Sequence, residues 1–229
     1  MLPVIVLGVV AHDLRTPLTT IKALAHAIRR EGDERAATIE EEADRLNRVV
    51  TDLLDLSRLS GGALQLTPEI NAAEDLLGAA LQQVSGRAGE REVAVDLDPA
   101  APLLLGRFDF VHALRIVVNL LENAFKYTPE GTPIVLAARG AAGVLEIEVA
   151  DRGPGVPAGD RQRIFEAFFR PAGQPADARS AGLGLSIARQ LAEAQGGTLQ
   201  YEPRDGGGSR FILRLPGAAM HAPAMESSL

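Results

Sequence analysis

A histidine near the N terminus stands among residues that could make it a nucleophile. Asp13 follows His12 directly, and Thr16 comes four positions after His12, on the same face if the segment is helical. An imidazole is largely neutral near pH 7, and an adjacent carboxylate can hold one ring nitrogen protonated while the other is free to attack. The spacing alone leaves two interpretations open: a nucleophile, or an ordinary solvated surface histidine.

A second polar group is spaced for one face of a helix. Asn119, Glu122, Asn123 and Lys126 lie at positions i, i+3, i+4 and i+7. Amide oxygens are suitable ligands for Mg²⁺, and a lysine can act as a point charge on phosphate. The alternative is a polar stripe on a half-buried helix.

Two glycine-containing segments complete the candidate chemistry. Asp151 follows an apolar strand and precedes Gly153 and Gly155. A carboxylate there can accept a hydrogen bond from an exocyclic amine such as that of adenine, and the glycines let the backbone approach a flat ring. Gly182 and Gly184 open a helix, where backbone amides can hold phosphate.

Apolar spacing predicts two helices in the N-terminal region, each with one apolar seam. The first helix covers residues 2–31, and the second ends at Ser60. A hairpin of this size buries too little apolar surface to offset its chain entropy. We therefore expect residues 1–66 to form a homodimer through a four-helix bundle, with packing on the rest of the same chain as the alternative. The seam positions are Leu14, Leu18, Ile21, Ala25, Ile28, Ile39, Ala43, Leu46, Val50 and Leu53.

The remainder, residues 67–216, mixes helices and strands without regular βαβ alternation, which predicts an α+β fold. We expect a small, polar and disordered tail at 217–229. The predicted helices are 72–85, 108–127 and 182–195, and the predicted strands are 92–98, 134–139, 144–150, 198–202 and 209–215.

Composition excludes several classes of protein. The 229 residues include no Cys, so disulfides, thiolate metal sites and thiol nucleophiles are excluded. A net charge of −7 argues against nucleic acid as a partner. The apolar opening Leu2–Ala11 is too short to span a bilayer.

The segment HDLRTPLT, which begins at His12, closely resembles the H-box of the sensor histidine kinases of two-component systems. The resemblance implies that His12 is autophosphorylated and that Asp13 is the base that assists this step. It also implies that Thr16 helps to dephosphorylate the partner. The hairpin resembles the dimerisation and phosphotransfer domain of that family.

Four later blocks resemble the nucleotide-binding boxes of the same family, in the same order. They are the N-box NLLENAFKYTP, the first glycine box DRGPGVP, the F-box IFEAFFR and the second glycine box GLGLSIA. The fold implied for residues 67–216 is the α/β sandwich of the Bergerat type, shared with gyrase-type and chaperone ATPases. We expect Phe165, Phe168 and Phe169 of the F-box to be packing anchors.

The resemblance also assigns the ligands of the site. Mg²⁺ would be held by Asn119 and Asn123. ATP would be held by Asn119, Asn123, Lys126, Tyr127, Asp151, Gly153, Gly155, Gly182, Leu183 and Gly184.

The implied function is an ATP-dependent protein-histidine kinase whose partner is the receiver domain of a response regulator, with regulator phosphatase as a second activity. Its expected location is the cytoplasm, either as a whole or as the cytoplasmic part of a sensor anchored through a missing upstream region. The alternatives are a gyrase-type ATPase and a scaffold without kinase activity. Gyrase-type enzymes carry Glu at the position of Asn119, and an amide is a poor base for water.

Overall fold

The computed structural model describes residues 18–26, 28, 35–61, 64–88, 91–98, 103–171 and 182–218. His12, Asp13, Thr16 and most of the predicted tail lie outside these residues. The chain divides into two compact units, residues 1–65 with 162–187 and residues 66–161 with 188–229. No helix among the described residues combines the length and apolar character needed to cross a lipid bilayer.

The first unit contains a helical hairpin, formed by α1 (18–26) and α2 (Arg35–Ser60). Leu18, Ala43, Val50 and Leu54 form its buried apolar cluster. Two pairs of polar side chains connect the helices. The helices are antiparallel, because the residue number increases along α1 as the number of its partner on α2 decreases. The pairs are Lys22 Nζ with Asp44 Oδ1 at 2.7 Å and His26 Nδ1 with Glu40 Oε1 at 2.9 Å.

The predicted apolar seam is only partly covered within one chain. Leu18, Ala25, Ala43 and Val50 are buried, as are Ala36 and Leu54 outside the predicted positions. Four other seam residues, and Leu24 beside them, are exposed over much of their surface. The exposed large apolar residues of the described part of the hairpin are Ile21 and Leu24 on α1 and Ile28 just after it, at 42–60%, and Ile39 and Leu46 on α2, at 43–49%.

The second unit is built on a five-stranded mixed sheet of strand order β2-β4-β5-β7-β6, in which only β2 and β4 are parallel. A separate antiparallel pair joins β1 to β3. These two short strands are not predicted from the sequence, because four residues show too little alternation. The strands are β1 (Glu69–Ala72), β2 (Val93–Leu97), β3 (Leu105–Phe108), β4 (Ile134–Ala141), β5 (Val144–Ala150), β6 (Thr198–Pro203) and β7 (Ser209–Pro216).

Three helices accompany the sheet, and the predicted α+β class is confirmed. They are α3 (Ala73–Ala88), α4 (Phe110–Tyr127) and α5 (Gly184–Ala194). Leu145, Ile147 and Val149 of β5 are buried. The alternate residues Glu146 and Glu148 pair with arginines of β7, so one face of the sheet is apolar and the other is charged.

Asp109 joins three parts of the second unit. Its carboxylate caps α4 by accepting the His112 N–H, and it accepts the Thr67 N–H at 2.9 Å. Its own N–H donates to Gln195, just after α5, at 2.8 Å. Burial alone would raise the pKa of Asp109, but the hydrogen bonds with Thr67 and His112 outweigh it and lower the pKa. The carboxylate is therefore held charged in the folded chain.

We expect Asp109→Ala to lower the free energy of unfolding by about 2 kcal/mol, since it removes a helix cap and the acceptor of the Thr67 N–H. Urea denaturation of the variant measures this loss. A lowered pKa stabilises the fold above the ordinary carboxyl pKa, and that contribution is lost as the pH falls through the folded pKa. The difference between variant and wild type should therefore shrink in acid.

The matched control is Glu130→Ala, which removes a carboxylate that is 89% exposed. Its free energy of unfolding should change by less than about 0.5 kcal/mol. Equal stability of the Asp109 variant and this control would contradict the anchoring role of Asp109.

Candidate functional site

One face of α4 carries polar side chains, and another face packs in the core. Asn119, Glu122, Asn123 and Lys126 are all half-buried, as the spacing predicts for one face. The Lys126 ammonium lies 4.8 Å from the centre of the Tyr127 ring, at the last turn of the helix. The buried residues of α4 are Ala113, Ile116, Val117, Val118, Leu120, Leu121, Ala124 and Phe125.

Asp151 stands directly after β5 and is only 3% exposed. Its backbone N–H donates to the Ser209 carbonyl at 2.9 Å, and its carboxylate accepts the Gly153 N–H at 2.7 Å. Burial raises the pKa of the Asp151 carboxyl, although hydrogen bonds from Gly153 and Ser209 act in the opposite direction. Burial therefore outweighs these hydrogen bonds, and the ionised form of this carboxyl is disfavoured in the folded chain.

The end of α4 and the end of β5 meet at Gly153. A Cβ atom on Gly153 would lie 2.7 Å from the Tyr127 carbonyl oxygen and 3.0 Å from Asp151 Oδ1. No side chain fits in that space, so glycine is required there for steric reasons. Two motifs that lie apart in the sequence are therefore neighbours in the fold.

The turn between β6 and β7 supports the loop that follows Asp151, which the sequence analysis did not predict. Gly208, at φ +111°, could not carry a Cβ atom, because that atom would lie 2.1 Å from the Asp151 carbonyl oxygen. The Arg204 guanidinium donates to the same carbonyl at 3.3 Å. The run of three glycines at 206–208 is the sequence signal for this turn.

The second glycine segment forms the start of α5, a helix whose first four residues belong to the first unit and the rest to the second. Gly182 has a φ of +72°, and its carbonyl accepts the Phe168 N–H at 3.0 Å. Leu183 is buried, and its carbonyl accepts the Ser186 hydroxyl at 2.8 Å. Gly184 is the first residue of α5. The backbone N–H groups at this helix start can bind an anion.

The F-box differs in one respect from the expectation that its phenylalanines are packing anchors. Phe168 is 61% exposed and has a φ of +66°, so it is not a packing anchor among the residues that the structure describes. The buried residue of this segment is Ile164, while Phe165 is half-buried. Phe169 is half-buried and stacks with Arg163, whose guanidinium carbon lies 4.2 Å from the ring centre. This exposure accompanies a left-handed backbone at Phe168, whose N–H is bonded to the Gly182 carbonyl.

Two family models match the chain. Residues 108–219 match the family described as histidine kinase-, DNA gyrase B- and HSP90-like ATPase. Residues 6–62 match the His Kinase A (phospho-acceptor) domain.

The similarity to known proteins and structures covers most of the chain. It is 36% identical over 225 residues to the sensor protein KdpD of Mycobacterium tuberculosis, covering 91% of this chain and 25% of that protein. It is 32% identical to the histidine protein kinase DivJ of Caulobacter vibrioides, covering 90% of this chain and 36% of that protein. Full-length ShkA in complex with AMPPNP superposes with a TM-score of 0.79 at 32% identity, covering 95% of this chain and 46% of that one. The chain thus spans a quarter to about a third of the length of these curated relatives.

Proposed function

Because the chain belongs to the sensor histidine kinases of two-component systems, we propose that it is an ATP-dependent protein-histidine kinase. In this proposal it phosphorylates its own His12 and passes the phosphoryl group to an aspartate of a response regulator. The meeting of the N-box helix and the Asp151 loop at Gly153 is the observation that carries the nucleotide site. Residues 1–66 would be the dimerisation and phosphotransfer domain, and residues 67–216 the catalytic domain.

Adenine fits the environment of Asp151. The buried carboxylate is an acceptor for an exocyclic amine, and the raised pKa reflects a charge that lacks solvation until such a donor arrives. Gly153 and Gly155 let the loop pack tightly against the Tyr127 and Gly208 carbonyls, which holds the carboxylate at the place proposed for the ring. Tyr127, whose carbonyl lies against Gly153, is assigned to the same end of the nucleotide.

The phosphates are assigned to two helix elements. Lys126 supplies a positive charge on the exposed face of α4, and Asn119 and Asn123 supply amide oxygens on that face for Mg²⁺. Gly182, Leu183 and Gly184 supply backbone N–H groups at the start of α5. When bound, Mg²⁺ would neutralise charge that develops on the phosphate oxygens.

The proposed transfer has two steps. A ring nitrogen of His12 forms a bond to the terminal phosphorus of ATP as the bond from that phosphorus to the bridging oxygen breaks, and ADP leaves. Asp13 accepts the proton that the other ring nitrogen gives up. In the second step the N–P bond breaks as a carboxylate oxygen of the regulator takes the phosphoryl group.

Two further points belong to the proposal. Thr16 and Asp13 would also serve in a phosphatase activity on the phosphorylated regulator. The substrate ATP and a receiver domain are both cytoplasmic, so we expect the chain to act on that side of the membrane.

The homodimer is proposed from the uncovered side of the hairpin. Ile21 and Leu24 on α1, Ile28 just after it, and Ile39 and Leu46 on α2 are apolar and exposed in a single chain. A second copy of the hairpin would cover them in a four-helix bundle.

The first prediction concerns the phosphate acceptor. We expect His12→Ala to abolish incorporation of label from γ-labelled ATP, because no other nucleophile is proposed. His26→Gln, the matched control, removes a histidine that is 66% exposed and paired with Glu40, and it should retain labelling. Label that survives in the His12 variant would refute the assignment of His12.

The second prediction concerns the binding of the adenine base by Asp151. Asp151→Asn should remove measurable ADP binding in titration calorimetry, because an amide presents a donor and a weaker acceptor to the adenine amine. The thermal midpoint of the variant should be equal to or above that of wild type, since a raised pKa means that the ionised carboxylate opposes folding at neutral pH. Any excess of the variant's thermal midpoint over that of wild type should vanish as the pH falls below the ordinary carboxyl pKa.

Asp205→Asn is the matched control, since Asp205 lies exposed in the β6–β7 turn. It should leave ADP affinity unchanged. Unchanged affinity in the Asp151 variant would rule out its role at adenine, and a lowered midpoint would show that the charge is structural.

The third prediction concerns assembly. The double variant Ile21→Glu with Leu46→Glu should shift the mass measured by light scattering from dimer to monomer, because charges cannot be buried unpaired in the bundle. Arg48→Glu, at an exposed position of α2, should remain a dimer. A wild-type chain that is monomeric at micromolar concentration would refute the proposed bundle.

A further inference from the structure

Tyr201 lies in the middle of β6 and its hydroxyl contacts the loop that follows Asp151. The Val156 N–H donates to the Tyr201 hydroxyl at 2.9 Å. A Cβ atom on Gly155 would lie 3.6 Å from the same oxygen. A strand residue outside every motif of the nucleotide site therefore touches the first glycine box.

The loop is fixed at its two ends, and between them the Arg152 guanidinium donates to the Asp205 carbonyl at 2.9 Å. Asp151 is fixed by Ser209 and Arg204 of the β6–β7 hairpin. Val156 is fixed by Tyr201 through its N–H and by Arg161 through its carbonyl, at 3.4 Å. The glycines in the intervening stretch have no side chains to pack, and glycine loses more backbone freedom on ordering than any other residue. The hydrogen bond to Tyr201 is thus the better of the two polar contacts that order this end of the loop.

The ring and the hydroxyl of Tyr201 have separate partners. The ring lies opposite Phe211 in the β6–β7 register and packs edge-on against it, with ring centres 5.5 Å apart and planes at 65°. The hydroxyl contributes nothing to that contact and meets the loop instead. Removing the oxygen alone therefore separates packing from loop placement.

We propose that Tyr201 is a positioning residue of the nucleotide site, an inference that rests on the proposed adenine role of the Asp151 loop. Its hydroxyl holds Val156 and so orders the loop before nucleotide arrives. A loop that is ordered in advance does not pay its ordering entropy during binding. Tyr201 acts through the loop and does not itself touch the reacting atoms.

The test is Tyr201→Phe in the full chain, with Ser85→Ala as the matched control. Ser85 also carries a bonded hydroxyl, which donates to the Gln82 carbonyl on α3, on the exposed surface. Hydrogen exchange without nucleotide should speed up in the Tyr201 variant within residues 152–157 and remain unchanged in β5 and β7. The control should show neither change.

The second readout is autophosphorylation as a function of ATP concentration. The KM for ATP should rise about 3- to 10-fold, as expected for one lost hydrogen bond to a part-buried N–H. The kcat at saturating ATP should stay near that of wild type, because the lost interaction affects ground and transition states alike.

Both changes are required by the proposal. Unchanged exchange in the loop, or faster exchange with an unchanged KM, would overturn it, and so would faster exchange spread over the whole sheet. A wild-type chain that binds no ADP would instead overturn the proposed function, while the exchange measurement would still decide whether the hydroxyl holds the loop.

Discussion

The nucleotide site depends on the close approach of two backbone segments at Gly153. The Tyr127 carbonyl and the Asp151 carboxylate come so near that a Cβ atom would be only 2.7 Å and 3.0 Å from their oxygens. This approach fixes the end of α4, with its polar face, beside the end of β5, with its buried acceptor. Any residue other than glycine would separate the two and move the polar face away from the carboxylate proposed to bind adenine.

Two buried aspartates show how the same side chain serves different purposes. Asp109 is 8% exposed and Asp151 is 3% exposed, yet the fold lowers the pKa of the first and raises that of the second. Asp109 has enough donors from its own chain to offset burial, and it joins the start of the unit to α4 and α5. For Asp151 burial outweighs the hydrogen bonds from Gly153 and Ser209, so its ionised form costs folding free energy. A buried carboxyl with a raised pKa at the end of a strand is a candidate for a functional site.

The sequence predicts the parts of the site that have a fixed period. The four polar residues of α4 could be placed on one face because helical spacing determines it, and the strand 144–150 was found from its alternation. The short strands β1 and β3 and the exposure of Phe168 could not be predicted, because both depend on partners remote in sequence or on a local left-handed backbone. The burial of only part of the hairpin seam within one chain could not be predicted either. Heptad spacing identifies the seam positions but does not determine which chain covers each of them.

Tyr201 illustrates the same limit in the site itself. In the sequence it is one aromatic residue of a strand, and a packing role against Phe211 explains it fully. Only the crossing of the β6–β7 hairpin over the glycine loop brings its hydroxyl to the Val156 N–H. The same hairpin holds Asp151 through Ser209, so one structural element sets both ends of the loop. The glycines of this loop have no side chains that could order it, so neighbouring residues must do so. In this fold the β6–β7 hairpin makes contacts at both ends of the loop.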